Sequence, residues 1–234
     1  MMMSIFNKIK RLLKRNVTDK INWRCLRSVE PVSRYFGCDR GTPADRYYIE
    51  KFLNANRSDI RGAVLEVAES HYSKKFGSSV TKYEVLFVDK TNPDATIVGD
   101  LSRPETLPEG VIDCFICTQT FNFIYDFKSA ITGAHRMLKP GGVLLATLAG
   151  VSQISRHDMD RWGDYWRFTT ASAKRAFGEV FGEGAAAADS YGNVLSAVAL
   201  LEGISLQELT EKELDHKDPD YQVIISVRAV KRGL

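Results

Sequence analysis

Three carboxylate side chains occur where predicted strands end. Glu66 lies in the first of three short apolar runs, Asp89 directly follows the second, and Asp100 comes two residues after the third. Because the carboxyl ends of parallel strands share one edge of an open sheet, where ligands bind, we expect these groups to lie together. An ionised carboxylate only accepts hydrogen bonds, so the second group suits ribose hydroxyls and the third suits the exocyclic amine of adenine. The spacing predicts a nucleoside pocket, although each carboxylate alone is equally compatible with a surface turn or a helix cap.

A second concentration of chemically useful side chains lies in the stretch 151–170, which is polar, aromatic and too irregular for a core element. Trp162 and Tyr165 are suited to stacking on sugar faces, and Arg167 to binding an acceptor phosphate or carboxylate. His157 precedes a carboxylate that would orient its imidazole, so it is the candidate general base for a hydroxyl group. Two alternatives stay open: a small core beneath a lid, and a solvated loop histidine.

Two more candidates for substrate binding precede the first predicted strand. Arg46 and Tyr48 lie in a helix predicted over 44–55, and an arm in this position can fold over the pocket. Simple packing of that helix accounts for both residues equally well.

The cysteines and histidines form no recognisable metal or redox site. Cys114 and Cys117 are three residues apart in a predicted strand, so they point to opposite faces of the sheet and packing is their expected role. The histidines, which show no ligand spacing with carboxylates or cysteines, are His71, His135, His157 and His216. Four irregularly spaced cysteines do not make a disulfide framework, which favours a reducing, cytoplasmic compartment. A dinucleotide-dependent dehydrogenase is disfavoured because no G-x-G-x-x-G follows the first predicted strand.

Short apolar runs alternate with helical patterns over most of the chain. Buried strands are predicted at 63–67, 85–88, 95–98, 114–117 and 142–148. Helices are predicted over 44–55, 127–138, 171–181 and 193–201, and further strands over 185–190 and 223–230. Near-continuous apolar strands alternating with helices are typical of a parallel sheet covered on both faces, so the predicted class is α/β.

The basic charge of the chain is concentrated near its N-terminus. Residues 1–40 contain ten Lys and Arg against three Asp and Glu, whereas the remainder contains 22 against 26. Apolar residues recur at helical spacing between the basic ones, at Ile5, Phe6, Ile9, Leu12 and Leu13. The pattern predicts an amphipathic helix that contacts an anionic bilayer or packs against protein. A nucleic-acid-binding domain is not expected, because the rest of the chain is mildly acidic. No membrane span or export signal is expected either.

Over residues 37–231 the chain resembles class I S-adenosylmethionine-dependent methyltransferases, in particular the group associated with bacterial polysaccharide and glycosyltransferase functions. The most specific segments are HRMLKPGGVLLAT at 135–147 and DMDRWGDYWRFT at 158–169. The resemblance implies a doubly wound, Rossmann-like sheet of seven strands, mostly parallel with a reversed final strand. It implies S-adenosyl-L-methionine as the cofactor, bound across the tips of the first four strands. Its implied contacts are Glu66 in the first-strand motif, Asp89 on the ribose, Asp100 and Leu101 around the adenine, and Thr118 and Gln119 beside the methionine part.

The first-strand motif departs from the family pattern. The family has E-x-G-x-G where this chain has Glu66-Val-Ala68-Glu-Ser70, and a side chain at a left-handed position causes steric strain. Either the loop takes a different path and the cofactor still binds, or the site has become a non-catalytic scaffold in a polysaccharide-biosynthesis complex. We favour the first interpretation.

The expected protein is therefore an enzyme that O-methylates a glycan, a sugar or a glycan precursor. Its expected organisation is a basic amphipathic arm over 1–36 and a methyltransferase domain over 37–234, with an aromatic lid loop at 151–170. It needs no metal and no nucleic acid. Its expected location is cytoplasmic, with peripheral contact to the inner face of the membrane through the N-terminal basic helix.

Overall fold

The computed structural model of the protein describes residues 27–233. Seven strands occur in this part of the chain: β1 (Arg61–Val67), β2 (Ser79–Phe87), β3 (Ile97–Val98), β4 (Ile112–Thr118), β5 (Leu138–Ala149), β6 (Ala186–Tyr191) and β7 (Ile224–Val230). Its α-helices are α1 (Asp45–Ala55), α2 (His71–Phe76), α3 (Phe127–Met137), α4 (Arg156–Met159), α5 (Thr170–Phe181), α6 (Val194–Glu202) and α7 (Glu211–Asp215).

The strands form one sheet in the order β3-β2-β1-β4-β5-β7-β6. β1 to β5 pair in parallel, and β7 runs antiparallel to both of its neighbours. The predicted class and the reversed final strand are therefore confirmed. This order brings the carboxyl ends of β1 to β4 side by side, which is where an open α/β sheet binds its ligand.

Apolar residues cover both faces of the sheet. On one face α3 and α5 contribute Ile131 and Phe177 to a core that also contains Cys117. On the other face Leu53 of α1 packs in a core that contains Cys114. The two cysteines thus lie on opposite faces, as their three-residue spacing predicts. Burial raises the pKa of both thiols, that of Cys117 to about 12, so each is a protonated packing residue and a poor metal ligand.

Two strands begin earlier than their apolar runs. β2 begins at Ser79 because its first half pairs with β1 through exposed polar residues, which an apolar pattern does not detect. β5 begins at Leu138, which pairs with Ile112 and follows α3 directly. The segment Lys139–Gly142 therefore belongs to the strand rather than to a turn between helix and strand.

A compact unit begins at Val32. Residues 1–26, which carry most of the predicted basic arm, lie outside the described residues, and the boundary at position 36 stays a prediction. Between Arg27 and Gly233, no helix has both the length and the apolar character needed to cross a bilayer.

Candidate functional site

A cavity of about 1010 Å³ opens along the carboxyl ends of β1 to β4. This volume lies at the upper end of the range of about 300–1,000 Å³ for small-molecule sites. Its lining residues come from the tips of β1 and β2, from residues 99–102 and 118–120, and from the loop after β5. The start of α1 also lines it.

Two residues at the strand tips adopt a left-handed backbone conformation without being glycine. Ala68 follows β1 with φ 69° and Gln119 follows β4 with φ 49°, and both line the cavity. Such a conformation costs about 1–2 kcal/mol for a residue with a Cβ atom and tends to persist at functional sites. Ala68 occupies the position of the first glycine of the family motif. The loop therefore adopts, with an alanine, the left-handed turn that glycine favours.

Glu66 is buried beneath the cavity rather than lining it. Its carboxylate accepts the backbone N–H groups of Tyr72 at 3.0 Å and Ser73 at 2.7 Å. Burial raises the pKa of Glu66, and the hydrogen bonds from Ser73 and Tyr72 oppose that rise. Because both oxygens are engaged with the first turn of α2, the role of Glu66 in this structure is to fix the start of that helix.

Asp89 and Asp100 occupy similar turns but differ in their access to the cavity. Asp89 Oδ1 accepts the backbone N–H of Thr91 at 2.8 Å, and its side chain does not line the cavity. Asp100 Oδ1 accepts the backbone N–H of Ser102 at 2.8 Å, and Asp100 does line the cavity together with Leu101. The hydrogen bonds from the Thr91 hydroxyl and backbone lower the pKa of Asp89. Of the two, Asp100 is placed to meet a ligand without rearrangement.

Thr118 and Gln119 line the cavity at the end of β4, in the position expected from the sequence. The Gln119 backbone N–H bonds to the Thr147 carbonyl at 2.8 Å, and its side-chain nitrogen lies 3.2 Å from Thr147 Oγ1. These bonds to β5 hold the left-handed turn in place. The β4 tip therefore presents uncharged polar groups on a fixed backbone.

The loop after β5 brings aromatic side chains to the cavity. Trp162 is 41% exposed and lies edge-on to Phe87 of β2, with ring centroids 6.0 Å apart. Tyr165 is 49% exposed and lies edge-on to Tyr125 at 5.4 Å. Both predicted substrate-binding aromatics line the cavity and keep part of their surface open. Trp166 differs, because it packs against Phe127 at 5.3 Å and lies outside the cavity wall.

Arg167 lies within the loop rather than on the cavity wall. Its guanidinium pairs with the buried Asp164 carboxylate at 2.6 Å and donates to the carbonyls of Ser152 and Gln153. The other oxygen of Asp164 accepts the backbone N–H of Ser155 at 3.0 Å. An ion pair with this many bonds ties both ends of the loop together, so Arg167 is not available to an acceptor in this structure.

The remaining predicted site residues separate into two groups. Arg46 lines the cavity, whereas Tyr48 is buried and donates to the Leu214 carbonyl at 3.1 Å. His157 is exposed on α4 outside the cavity wall, and its carbonyl accepts a bond from Arg161 at 2.7 Å. Arg46 and Tyr48 lie two positions apart on α1, and such positions of a helix face different directions.

Several cavity residues were not singled out by the sequence. His71 and Tyr72 begin α2 directly after the β1 loop, and Tyr125 follows the β4 tip. Their sequence signal is proximity to a strand end, which is too general to separate them from ordinary loop residues. In the described range, no group of three or more His, Cys, Asp or Glu residues is arranged to hold a metal ion.

The charges on the cavity wall are predominantly negative. Two arginines line it, Arg46 and Arg161, against four carboxylates. The carboxylates are Glu50, Glu69, Asp100 and Asp158. Such a wall favours a ligand with more positive than negative groups.

Comparison with known proteins indicates a methyltransferase domain. Residues 36–146, just under half of the chain, match the family model of a methyltransferase domain. No curated protein matches the chain in sequence. The family match indicates S-adenosylmethionine as the cofactor.

Solved structures share the fold at low sequence identity. An S-adenosylmethionine-dependent methyltransferase from Mesorhizobium loti is 15% identical, with 83% of this chain and 100% of that chain covered and a TM-score of 0.50. A second such enzyme, from Archaeoglobus fulgidus, is 9% identical, covers 80% and 94% of the two chains, and has a TM-score of 0.50. A possible exported protein from Bordetella parapertussis is 12% identical over 83% of this chain and 71% of that chain, with a TM-score of 0.52. The fold of this protein is therefore that of the Rossmann-like methyltransferases.

Proposed function

We propose that the protein transfers a methyl group from S-adenosylmethionine to an oxygen atom of a glycan, a sugar or a glycan precursor. The observation that carries the methyl-transfer part is the left-handed Ala68 at the tip of β1. A strained alanine at a glycine position is retained only where the surrounding structure demands that turn. The turn keeps the tip of β1 on the cavity wall, where Ala68 itself lies.

The residues of the cavity fit this cofactor in shape and in charge. S-adenosylmethionine carries a sulfonium and an ammonium group against one carboxylate, and carboxylates outnumber arginines on the wall. Asp100 and Leu101 would contact the adenosine part, and Thr118 and Gln119 the methionine part. When bound, the cofactor supplies a methyl group that is activated for in-line displacement. The task of the chain is to align the acceptor with that methyl group and to exclude water.

The glycan part of the proposal is supported by the aromatic wall and by the sequence resemblance. Trp162 and Tyr165 offer amphipathic ring surfaces of the kind that stack on sugar faces. With Arg167 committed to Asp164, Arg46 and Arg161 are the cavity arginines that would contact an acceptor.

Calorimetric titration of the full-length protein with S-adenosylmethionine and S-adenosylhomocysteine tests the first step. We expect binding with a Kd well below about 1 mM, which corresponds to about −4.1 kcal/mol. Asp100→Ala should weaken it by about 1.5–3 kcal/mol, the cost of losing a charged hydrogen-bond partner. Asp89→Ala is the matched control. It should weaken binding less, because Asp89 does not line the cavity whereas Asp100 does.

Two results would revise the proposal. Equal losses in the two variants would mean that Asp89 leaves its turn to contact the ribose. Absence of binding at millimolar cofactor would contradict methyl transfer and favour a non-catalytic scaffold. If binding is found, release of S-adenosylhomocysteine in the presence of methyl glycosides and oligosaccharides tests the acceptor class.

We further propose that the basic N-terminal segment contacts anionic lipid. The support is its sequence, in which six Lys and Arg against one Asp occur within residues 1–20. A glycan precursor held at a membrane would then be presented to the enzyme at the same surface.

A further inference from the structure

His71 stands apart from the other three histidines of the chain. It is exposed and lines the cavity. His135 packs edge-on to Phe181 at 4.9 Å, and His157 and His216 lie outside the cavity wall. His71 is therefore the histidine that can meet a bound acceptor without a change of fold.

The backbone that carries the His71 imidazole is held in place by hydrogen bonds. It is the first residue of α2, whose first turn is fixed by the two backbone N–H bonds to the buried Glu66 carboxylate. The His71 ring lies edge-on to Tyr72, with centroids 5.3 Å apart. Tyr72 is itself buried, and its hydroxyl lies beside the guanidinium of Arg46. Preorganisation of this kind is what a proton-transfer group requires.

The cavity wall on which His71 lies carries charged groups of both signs. Arg46 and Glu50 of α1 share its wall, Glu69 precedes it in the β1 loop, and Asp158 and Arg161 belong to the loop after β5. His71 thus presents an exposed imidazole to this cavity.

We propose that His71 is the general base for the acceptor. This inference rests on the proposed methyl transfer. As the acceptor oxygen forms its bond to the methyl carbon, the carbon–sulfur bond breaks and its electron pair stays on sulfur. The proton of the acceptor hydroxyl passes to an imidazole nitrogen of His71 and later to solvent. We therefore assign to His71 the general-base role that the sequence predicted for His157.

Imidazole NMR of the full-length protein tests the location of His71 without an acceptor. The four histidine signals are assigned by comparing the wild type with His71→Gln and His157→Gln. On addition of S-adenosylhomocysteine, the His71 signals should shift and the His157 signals should stay. If calorimetry shows binding while the His71 signals do not move, His71 is not at the site and only this inference fails. If calorimetry shows no binding, the proposed function fails first.

Turnover with any glycoside that the wild type methylates tests the chemical role. His71→Gln should lower kcat by about 10²–10⁴-fold, the usual range for a general base, with affinity for S-adenosylhomocysteine nearly unchanged. His157→Gln should behave as wild type. An unchanged kcat in His71→Gln, with a melting temperature equal to that of the wild type, would overturn the proposal. Where no glycoside is methylated, the NMR comparison decides.

Discussion

At the scale of single residues, two non-glycine residues of the candidate site hold a strained, left-handed backbone conformation. Ala68 and Gln119 hold left-handed turns at two adjacent strand tips, and both line the cavity. Glycine would hold either turn without steric cost. The persistence of larger residues indicates that hydrogen bonds from the neighbouring strands dictate the turns, as the bond from the Ala68 N–H to the Leu86 carbonyl at 3.0 Å does.

This strain leads to a prediction for Ala68→Gly. Removing the Cβ atom at φ 69° should stabilise the fold. We expect a gain of about 1 kcal/mol, or about 2–4 °C in melting temperature for a chain of this size. Thermal unfolding measures it. Ala187→Gly, at an exposed position of β6 without positive φ, is the matched control and should destabilise the fold slightly. Equal destabilisation in both variants would mean that Ala68 is not strained.

At the scale of elements, the loop after β5 has a fixed part and a projecting part. The Asp164–Arg167 pair ties the two ends of the loop together, and Trp166 packs on Phe127 at the later end. Trp162 reaches to the tip of β2 with a single ring contact and stays partly exposed. The lid that the sequence suggests is thus confined to a short segment around α4 and Trp162, rather than to all of 151–170.

Substitution of two tryptophans in this loop distinguishes a binding role from a packing role. Trp162→Ala should change stability by less than about 1 kcal/mol, since the side chain is partly exposed, while lowering turnover of an acceptor. Trp166→Ala should cost about 2 kcal/mol or more, because it removes buried ring contacts and the bond from Nε1 to the Tyr125 carbonyl at 3.1 Å. Thermal unfolding and turnover are measured for both variants. A large stability loss in Trp162→Ala with unchanged turnover would make that residue structural.

At the scale of the whole molecule, a surface ion pair joins the segment before α1 to the segment after α6. The Arg40 guanidinium donates to the Glu208 carboxylate, and with the Ser205 hydrogen bonds it lowers the pKa of Glu208 to about 2. A carboxylate with a depressed folded-state pKa contributes stability above its unfolded pKa near 4.5. That contribution is lost as the pH falls from about 4.5 towards 2.

Glu208→Gln should therefore reduce the pH dependence of unfolding in acid. We expect its melting temperature to fall below that of the wild type at pH 6, with the two values converging as the pH approaches 2. Glu105→Gln removes an exposed carboxylate elsewhere and is the control. A wild-type and a Glu208→Gln profile that remain parallel between pH 5 and pH 2 would contradict the assignment.

Deletion of residues 1–20 tests the proposed membrane contact on the same scale. The remaining domain should keep its melting temperature, because the apolar stripe of residues 1–20 is narrow and their charge is unlike that of the rest of the chain. Full-length protein should float with vesicles that contain anionic lipid, and the shortened protein should not. High salt should reverse the flotation. Equal behaviour of the two proteins would leave the basic segment with a packing or partner role.

The sequence by itself determined the sheet, the faces of its strands and the edge at which the site lies. Apolar runs and helical periodicity depend on neighbouring residues, so β1, β4 and the alternation of Cys114 and Cys117 were predictable. Only the tertiary structure decided which polar side chains reach the cavity. The direction of a side chain depends on partners that the pattern of strands and helices does not identify: Glu66 bonds to Ser73 in the next helix, and Tyr48 bonds to Leu214 near the other end of the chain. For that reason the carboxylates and histidines could be named from the sequence, whereas the burial of Glu66 and the exposure of His71 could not.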